Sequence, residues 1–149
     1  MNKITFLGGV LMLILIGGCR PQITVKDRFN WSLRPRPYRT TVTNRETVSI
    51  PVKIESEGWN ARSDVSISYY PMKGKGIVTV VGVYDKNRSM ISLQENVHYP
   101  LETKYNSRYD SDFIVCYYPT SLGEHELLLR VYNRTAEQDQ TLKLSFKAE

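Results

Sequence analysis

Polar and apolar residues alternate with period two over much of the chain beyond Arg39. Val48, Ile50, Val52 and Ile54 interleave with Thr47, Ser49, Pro51 and Lys53. Alternation of this kind puts one set of side chains on a buried face and the other in water, the mark of a half-buried strand. Pro51 has no amide donor, so its place in the run argues for an edge strand or a bulge. A polar turn from Glu57-Gly58 to about Ser63 follows. Val65, Ile67 and Tyr69 then alternate with Asp64, Ser66 and Ser68 as far as Pro71. Lys73-Gly74-Lys75-Gly76 predicts the next turn, where glycine tolerates positive φ. Ile77 to Val83 is nearly all β-branched and predicts another strand.

Tyr84 to Asp112 is less regular. A short strand around Met90 to Leu93 is expected, with Tyr99-Pro100-Leu101 packing onto the core and an excursion near Lys104 to Asp110, because thirty or so structureless residues are uncommon in a compact domain. Phe113 to Tyr118 is apolar on both faces, which suits a central strand. After Gly123, Leu127, Leu129 and Val131 point one way along Glu124 to Tyr132. Arg134 to Asp139 reads as a polar turn, and the last run sets Leu142, Leu144 and Phe146 inside. No segment sustains a 3.6-residue period. About seven short strands separated by turns predict an all-β fold, an immunoglobulin-like antiparallel β-sandwich, with a barrel as the second choice.

The amino terminus follows a different pattern. Met1 to Cys19 has one early cation, Lys3, then an apolar run from Ile4 to Ile16, and closes on Ile16-Gly17-Gly18-Cys19. A basic start, a short hydrophobic centre and small residues before the cut describe an export signal. The run is shorter than the 20 or so apolar residues of a spanning helix. Its Ile-Gly-Gly-Cys ending resembles a bacterial lipobox, in which the cysteine is lipidated and becomes the first mature residue. A single acyl chain holds a protein only marginally, and the several chains of a lipidated amino-terminal cysteine hold it stably. The expected division is a signal over residues 1–18, a lipid-anchored tether with a possible first strand (Ile23, Val25, Phe29, Trp31) over 19–39, and the sandwich over 40–149. Arg34-Pro35-Arg36-Pro37 resists pairing inside a sheet. It reads as a stiff solvated spacer or as a basic clamp for an anionic surface.

Charge changes this picture little. The 149 residues carry a net +5, which falls to +4 once Lys3 leaves with the signal. That is far from the basic stripe of a nucleic-acid binder, so no direct nucleic-acid contact is expected. With Cys19 assigned to lipid, Cys116 is left alone, and the sandwich must stand on its apolar core without the antibody-type disulfide.

Candidate chemistry is sparse. His98 and His125 lack zinc-site spacing, and His125, between Glu124 and Glu126, reads as a surface residue of a strand. Cys116 sits mid-strand, where a cysteine behaves as a small hydrophobe. Asp110 and Asp112 have no sign of the cleft a glycosidase pair would flank. Asp85-Lys86-Asn87 lacks the further oxygens of a calcium loop, and Gly74-Lys75-Gly76 leads into a strand, not the helix a P-loop requires. No catalytic residue, metal or cofactor is predicted. The remaining signal is aromatic: Tyr69-Tyr70 and Tyr117-Tyr118 each turn one ring outward. Tyr70 and Tyr118 with Lys73 and Lys75 are candidate partner-binding residues. The alternative use of such rings is as a stacking platform for carbohydrate.

Glu46 to Ile50, Glu57-Gly58, Ser68 to Pro71, Lys73 to Gly76, Asn96 with Tyr99 to Glu102, Phe113 to Tyr118, Val131 to Asn133 and Thr141 to Phe146 form a distributed set of stretches. Together they resemble the TraQ family of Bacteroides-type conjugative transposon lipoproteins. Lys104 to Ser111 has no clear counterpart. The resemblance implies a membrane-tethered accessory of a conjugative transfer apparatus, immunoglobulin-like in fold, with protein components of that machinery as partners. It carries over no catalytic residue. Arg20 after the cysteine is not the aspartate that retains some lipoproteins at the inner membrane, so the resemblance to a lipoprotein signal implies an outer-membrane anchor facing the periplasm.

Overall fold

The computed structural model describes residues 30–43, 45–56, 64–103 and 112–149. Cys19, the expected strand positions before Trp31, the polar turn after Glu57 and the excursion at Lys104 to Asp110 lie outside them. Among the described residues there is no helix. Ten strands run in chain order: β1 Trp31–Pro35, β2 Thr41–Val42, β3 Val48–Ser56, β4 Val65–Lys73, β5 Gly76–Tyr84, β6 Met90–Ser92, β7 Tyr99–Pro100, β8 Phe113–Pro119, β9 Gly123–Asn133 and β10 Gln138–Ala148. Seven have five residues or more; β2, β6 and β7 are two- or three-residue margins.

The strands form two five-stranded sheets, β1-β3-β8-β5-β6 (sheet A) and β2-β10-β9-β4-β7 (sheet B). All pairings are antiparallel except β10 with β2. The two inner faces enclose one cluster that includes Ile50, Val52, Val80, Phe113, Val115, Tyr117, Leu127, Leu129 and Leu144. This is an immunoglobulin-like β-sandwich. The apolar parity of β3, β9 and β10 falls inward as the alternation requires, and β8 takes the central place in sheet A that its two-sided apolar character predicts.

Two proline readings are refined. Pro51 lies in β3, an interior strand, not at an edge of the sheet. Residues of one parity in a strand point their amide and carbonyl to the same neighbour. Arg36 N donates to Pro51 O at 2.8 Å, so the missing donor of Pro51 faces the side where β1 has already ended, at Pro35 opposite Val52. Val52 and Ile54 face β8 instead. Past the start of β8 the Asp112 carboxylate takes over, accepting from Ile54 N at 2.7 Å.

Arg34 and Pro35 pair with Lys53 and Val52 in β1, which is an edge strand and so tolerates proline. The chain then leaves sheet A and crosses to β2 in sheet B. Tyr38 straps this crossing to β10, its hydroxyl donating to Ser145 O and accepting from Ser145 N, each at 3.3 Å.

Candidate interaction surfaces

Two loop tips, the β4–β5 and β8–β9 connections that cross between the sheets, meet at one end of the sandwich and hold each other. Thr120 N donates to Lys75 O at 2.8 Å, and Lys75 N donates to Ser121 Oγ at 3.1 Å. Beneath them lies a buried polar chain. His125 is fully buried on the inner face of β9, and its Nε2 lies 2.9 Å from Ser121 O. A carbonyl only accepts, so Nε2 carries the proton, and in the neutral ring Nδ1 accepts from the Tyr117 hydroxyl at 2.9 Å. Phe146 stacks on His125 with centroids 5.4 Å apart and meets Tyr117 edge-on at 4.8 Å. Burial pushes the Tyr117 phenol up to about 12.

This packing explains the Lys-Gly-Lys-Gly turn. Gly74 has φ 74°, and a Cβ there would lie 2.3 Å from His125 Nδ1; at Gly76 a Cβ would lie 2.3 Å from Tyr117 Cζ. The turn closes down on two core rings, and only a residue without a side chain leaves room for them. His125 is therefore not the surface residue its acidic neighbours suggested. Its parity with Leu127 and Leu129 was the available signal.

The outer face of sheet B is laced with ion pairs. Glu126 lies 3.0 Å from Lys143 and 3.7 Å from Lys73; Lys73 also reaches Glu124 at 3.1 Å. A bulge between Pro71 and Lys73 shifts the parity of β4 and brings Lys73 to the Glu126 side. Arg130 holds Asp139 at 2.7 Å, and Arg134 approaches Asp64 at 3.2 Å. The bond from Lys143 is the chief cause that holds the Glu126 carboxyl below the usual carboxylate range, with Lys73 adding to it; Lys73 in turn is raised, chiefly by its bond to Glu124. Tyr70 stands exposed on this face, opposite Leu128.

The outer face of sheet A differs. Along β8 the outward positions are Ile114, Cys116 and Tyr118, and along β5 they are Ile77, Thr79 and Val81. Register pairs them directly: Tyr118 with Ile77, Cys116 with Thr79, and Ile114 with Val81, with Pro51 of β3 on the far side of Ile114. None of the six is charged. Cys116 is half-buried here and not in the core, its Sγ 3.9 Å from Ser49 Oγ.

The four candidate partner-binding residues thus divide between surfaces. Tyr70 and Lys73 belong to sheet B, Tyr118 belongs to sheet A, and Lys75 is at the joined tips; Tyr70 and Tyr118 do not share a platform. His98 is exposed, in a groove of sheet B with Ser66, Arg130 and Tyr132. Asp85 Oδ1 accepts from Asn87 N and Ser89 N, both at 2.8 Å, which closes a turn. Among the described residues no group of three potential metal ligands comes together.

The described residues thus define an immunoglobulin-like β-sandwich with joined loop tips at one end and two differing outer faces. Residues 3–149 match the family described as TraQ conjugal transfer protein, and the chain belongs to that family. A conjugative transposon lipoprotein from Bacteroides eggerthii shares the fold with TM-score 0.60 and 20% identity, over 78% of this chain and 95% of its own. A lipoprotein from Bacteroides thetaiotaomicron gives 0.61 and 18%, over 88% and 89%. A conjugate transposon protein from Bacteroides vulgatus gives 0.57 and 15%, over 86% and 92%. No curated protein matches the chain.

Proposed function

We propose that the chain is exported, cut before Cys19 and acylated there, and that it acts as a non-enzymatic accessory binding a protein component of a conjugative transfer apparatus. The observation that carries this reading is the match to a conjugal transfer family over 3–149, a span that takes in the signal-like amino terminus as well as the sandwich. The names of the similar structures, lipoproteins and conjugative transposon proteins of Bacteroides, support an envelope location. The Ile16-Gly17-Gly18-Cys19 ending supports the anchor, and Arg20 favours the outer membrane with the sandwich in the periplasm. Tethering confines the domain to a surface and raises its effective concentration there.

Two measurements test the reading. Deleting the gene from a transfer-competent strain is expected to lower mating frequency, with recovery on complementation. Labelling with a fatty-acid probe is expected to mark the native protein and to leave Cys19→Ser unmarked and displaced from the membrane fraction. Undiminished transfer in the deletion strain overturns the role in transfer; an unlabelled native protein overturns the anchor.

A further inference from the structure

Sheet B carries a trough on its outer face. The floor comes from three strands, with Ser68 of β4, Leu128 and Arg130 of β9 and Thr141 of β10 on the outward parity. The wall is the segment that leads into β7. It is tied to β4 at both ends, Asn96 N donating to Tyr69 O at 3.1 Å and Leu101 N to Val65 O at 2.9 Å. Two depressions of about 370 Å³ and 480 Å³ follow one another along this wall, and His98 and Arg130 line both. Each has the size of a small-molecule site. A recess whose wall is already fixed loses little entropy when it is filled.

The charges in the trough are matched one to one. Arg130 holds Asp139 at 2.7 Å, and Arg134 holds Asp64 at 3.2 Å. With both guanidinium groups taken, an anion finds no free cation there, and the two pairs leave no net charge between them. What they do offer is a donor beside an acceptor, twice. A hydroxyl group can donate to the carboxylate and accept from the guanidinium at once. Asn96, His98, Ser66 and Thr141 add further groups of both kinds.

Two aromatic rings stand along the same trough. Tyr70 lies opposite Leu128, and Tyr132 is four residues further along β9, on the same outward parity. At strand spacing that is about 13 Å, more than one sugar ring can span. Tyrosine pairs an apolar ring face with a polar tip, which suits the apolar face of a pyranose. The ring that accompanies Tyr70 is therefore Tyr132, not Tyr118 on the opposite sheet.

We propose that this trough binds a neutral oligosaccharide, with Tyr70 and Tyr132 against separate sugar units and the Arg130–Asp139 and Arg134–Asp64 pairs on the hydroxyls. The site goes beyond the role in transfer, and either can fail without the other.

The test uses the full chain in a sugar-free detergent, probed with neutral cello-, manno- and chito-oligosaccharides, their monosaccharides, and uronic-acid oligosaccharides. Binding of a neutral oligosaccharide is expected, much tighter than that of its monosaccharide and little changed by salt. Amide shifts on adding that probe are expected at Tyr70, His98, Arg130 and Tyr132. Tyr70→Ala is expected to lower the affinity about tenfold, while Leu122→Ala, at an exposed tip, leaves it unchanged. Asp139→Asn strips Arg130 of its partner and is expected to move the preference toward the uronic-acid probes, a change that loss of shape alone would not produce. Thermal midpoints are measured for each variant; Tyr70, 55% exposed, keeps the test decisive if Asp139→Asn folds poorly. An array without a neutral ligand, a parent that prefers the uronic acids, or binding undiminished in Tyr70→Ala overturns the proposal. Lost sugar binding with unchanged mating frequency in Tyr70→Ala supports the site and leaves the role in transfer as it stands.

Discussion

On the outer face of sheet B, Glu126 sits between Lys143 and Lys73, and Arg130 holds Asp139; at the centre of the outer face of sheet A, Ile114, Tyr118, Ile77 and Val81 face out with no charge among them. One core lies behind both. Burying an inner face demands apolar residues at alternate positions and leaves the other parity unconstrained, so the outer residues are free to serve solubility or contact. Sheet B sets ion pairs around exposed Tyr70 and Met72, whereas the centre of sheet A is uncharged and, Ile77 apart, half-buried. Exposed ion pairs contribute little to stability, so the difference between the faces is a difference in what each can meet, not in how firmly each is built.

If both faces rest on the same support, the largest loss comes from the joined tips. Gly76→Ala places a methyl 2.3 Å from Tyr117 Cζ and 2.6 Å from Tyr118 O. Denaturant unfolding is expected to report about 2–4 kcal/mol of destabilisation, in one transition that takes both sheets together. A variant as stable as the parent would show that the tips are not a shared support.

Tyr117→Phe keeps the ring and removes the hydroxyl that His125 Nδ1 accepts. Leaving that buried nitrogen unpaired is expected to cost about 1–3 kcal/mol, read from the denaturant midpoint.

The same phenol sets a pH dependence. Burial raises it from 10.0 to about 12 in the fold, so the unfolded chain loses this proton first. Its contribution is complete below pH 10 and declines as pH rises from 10 to 12. Midpoints measured across that window are expected to fall more steeply in the parent than in Tyr117→Phe; identical slopes would contradict the assignment.

The smallest effect belongs to the charged face. Glu126→Gln removes a carboxylate whose affinity for protons is lowered in the fold. Its contribution is present above the ordinary carboxylate range and is lost as pH falls through the lowered value. A slight drop in thermal midpoint at low salt, vanishing at high salt, is expected. A large, salt-independent drop would mean that sheet B is supported by its ion pairs.

Much of the fold was legible because alternation is a local property. Val48 to Ile54, Glu124 to Tyr132 and Leu142 to Phe146 each announce an inward parity, and Phe113 to Tyr118, apolar at both parities, announces a central strand. The candidate surface was less legible. His125 shares the parity of Leu127, yet its flanking glutamates made it look exposed. Cys116 was expected inside because a cysteine between Val115 and Tyr117 resembles core, whereas the inward parity belongs to Val115 and Tyr117. Lys73 follows inward-facing Tyr69 and Pro71 at strand spacing, and only the bulge at Met72 turns it outward.

The order of residues by itself determined the strand class, the parity of most strands, the glycine turn and the signal-like amino terminus, since each depends on neighbours a few positions apart. Tertiary structure decided which strands became neighbours: that Tyr70 and Tyr118 stand on opposite sheets, that Gly74 and Gly76 close over His125 and Tyr117, and that Ile77 meets Tyr118. Those outcomes depend on register between segments tens of residues apart, and a period of two along the chain carries no information about the partner across it.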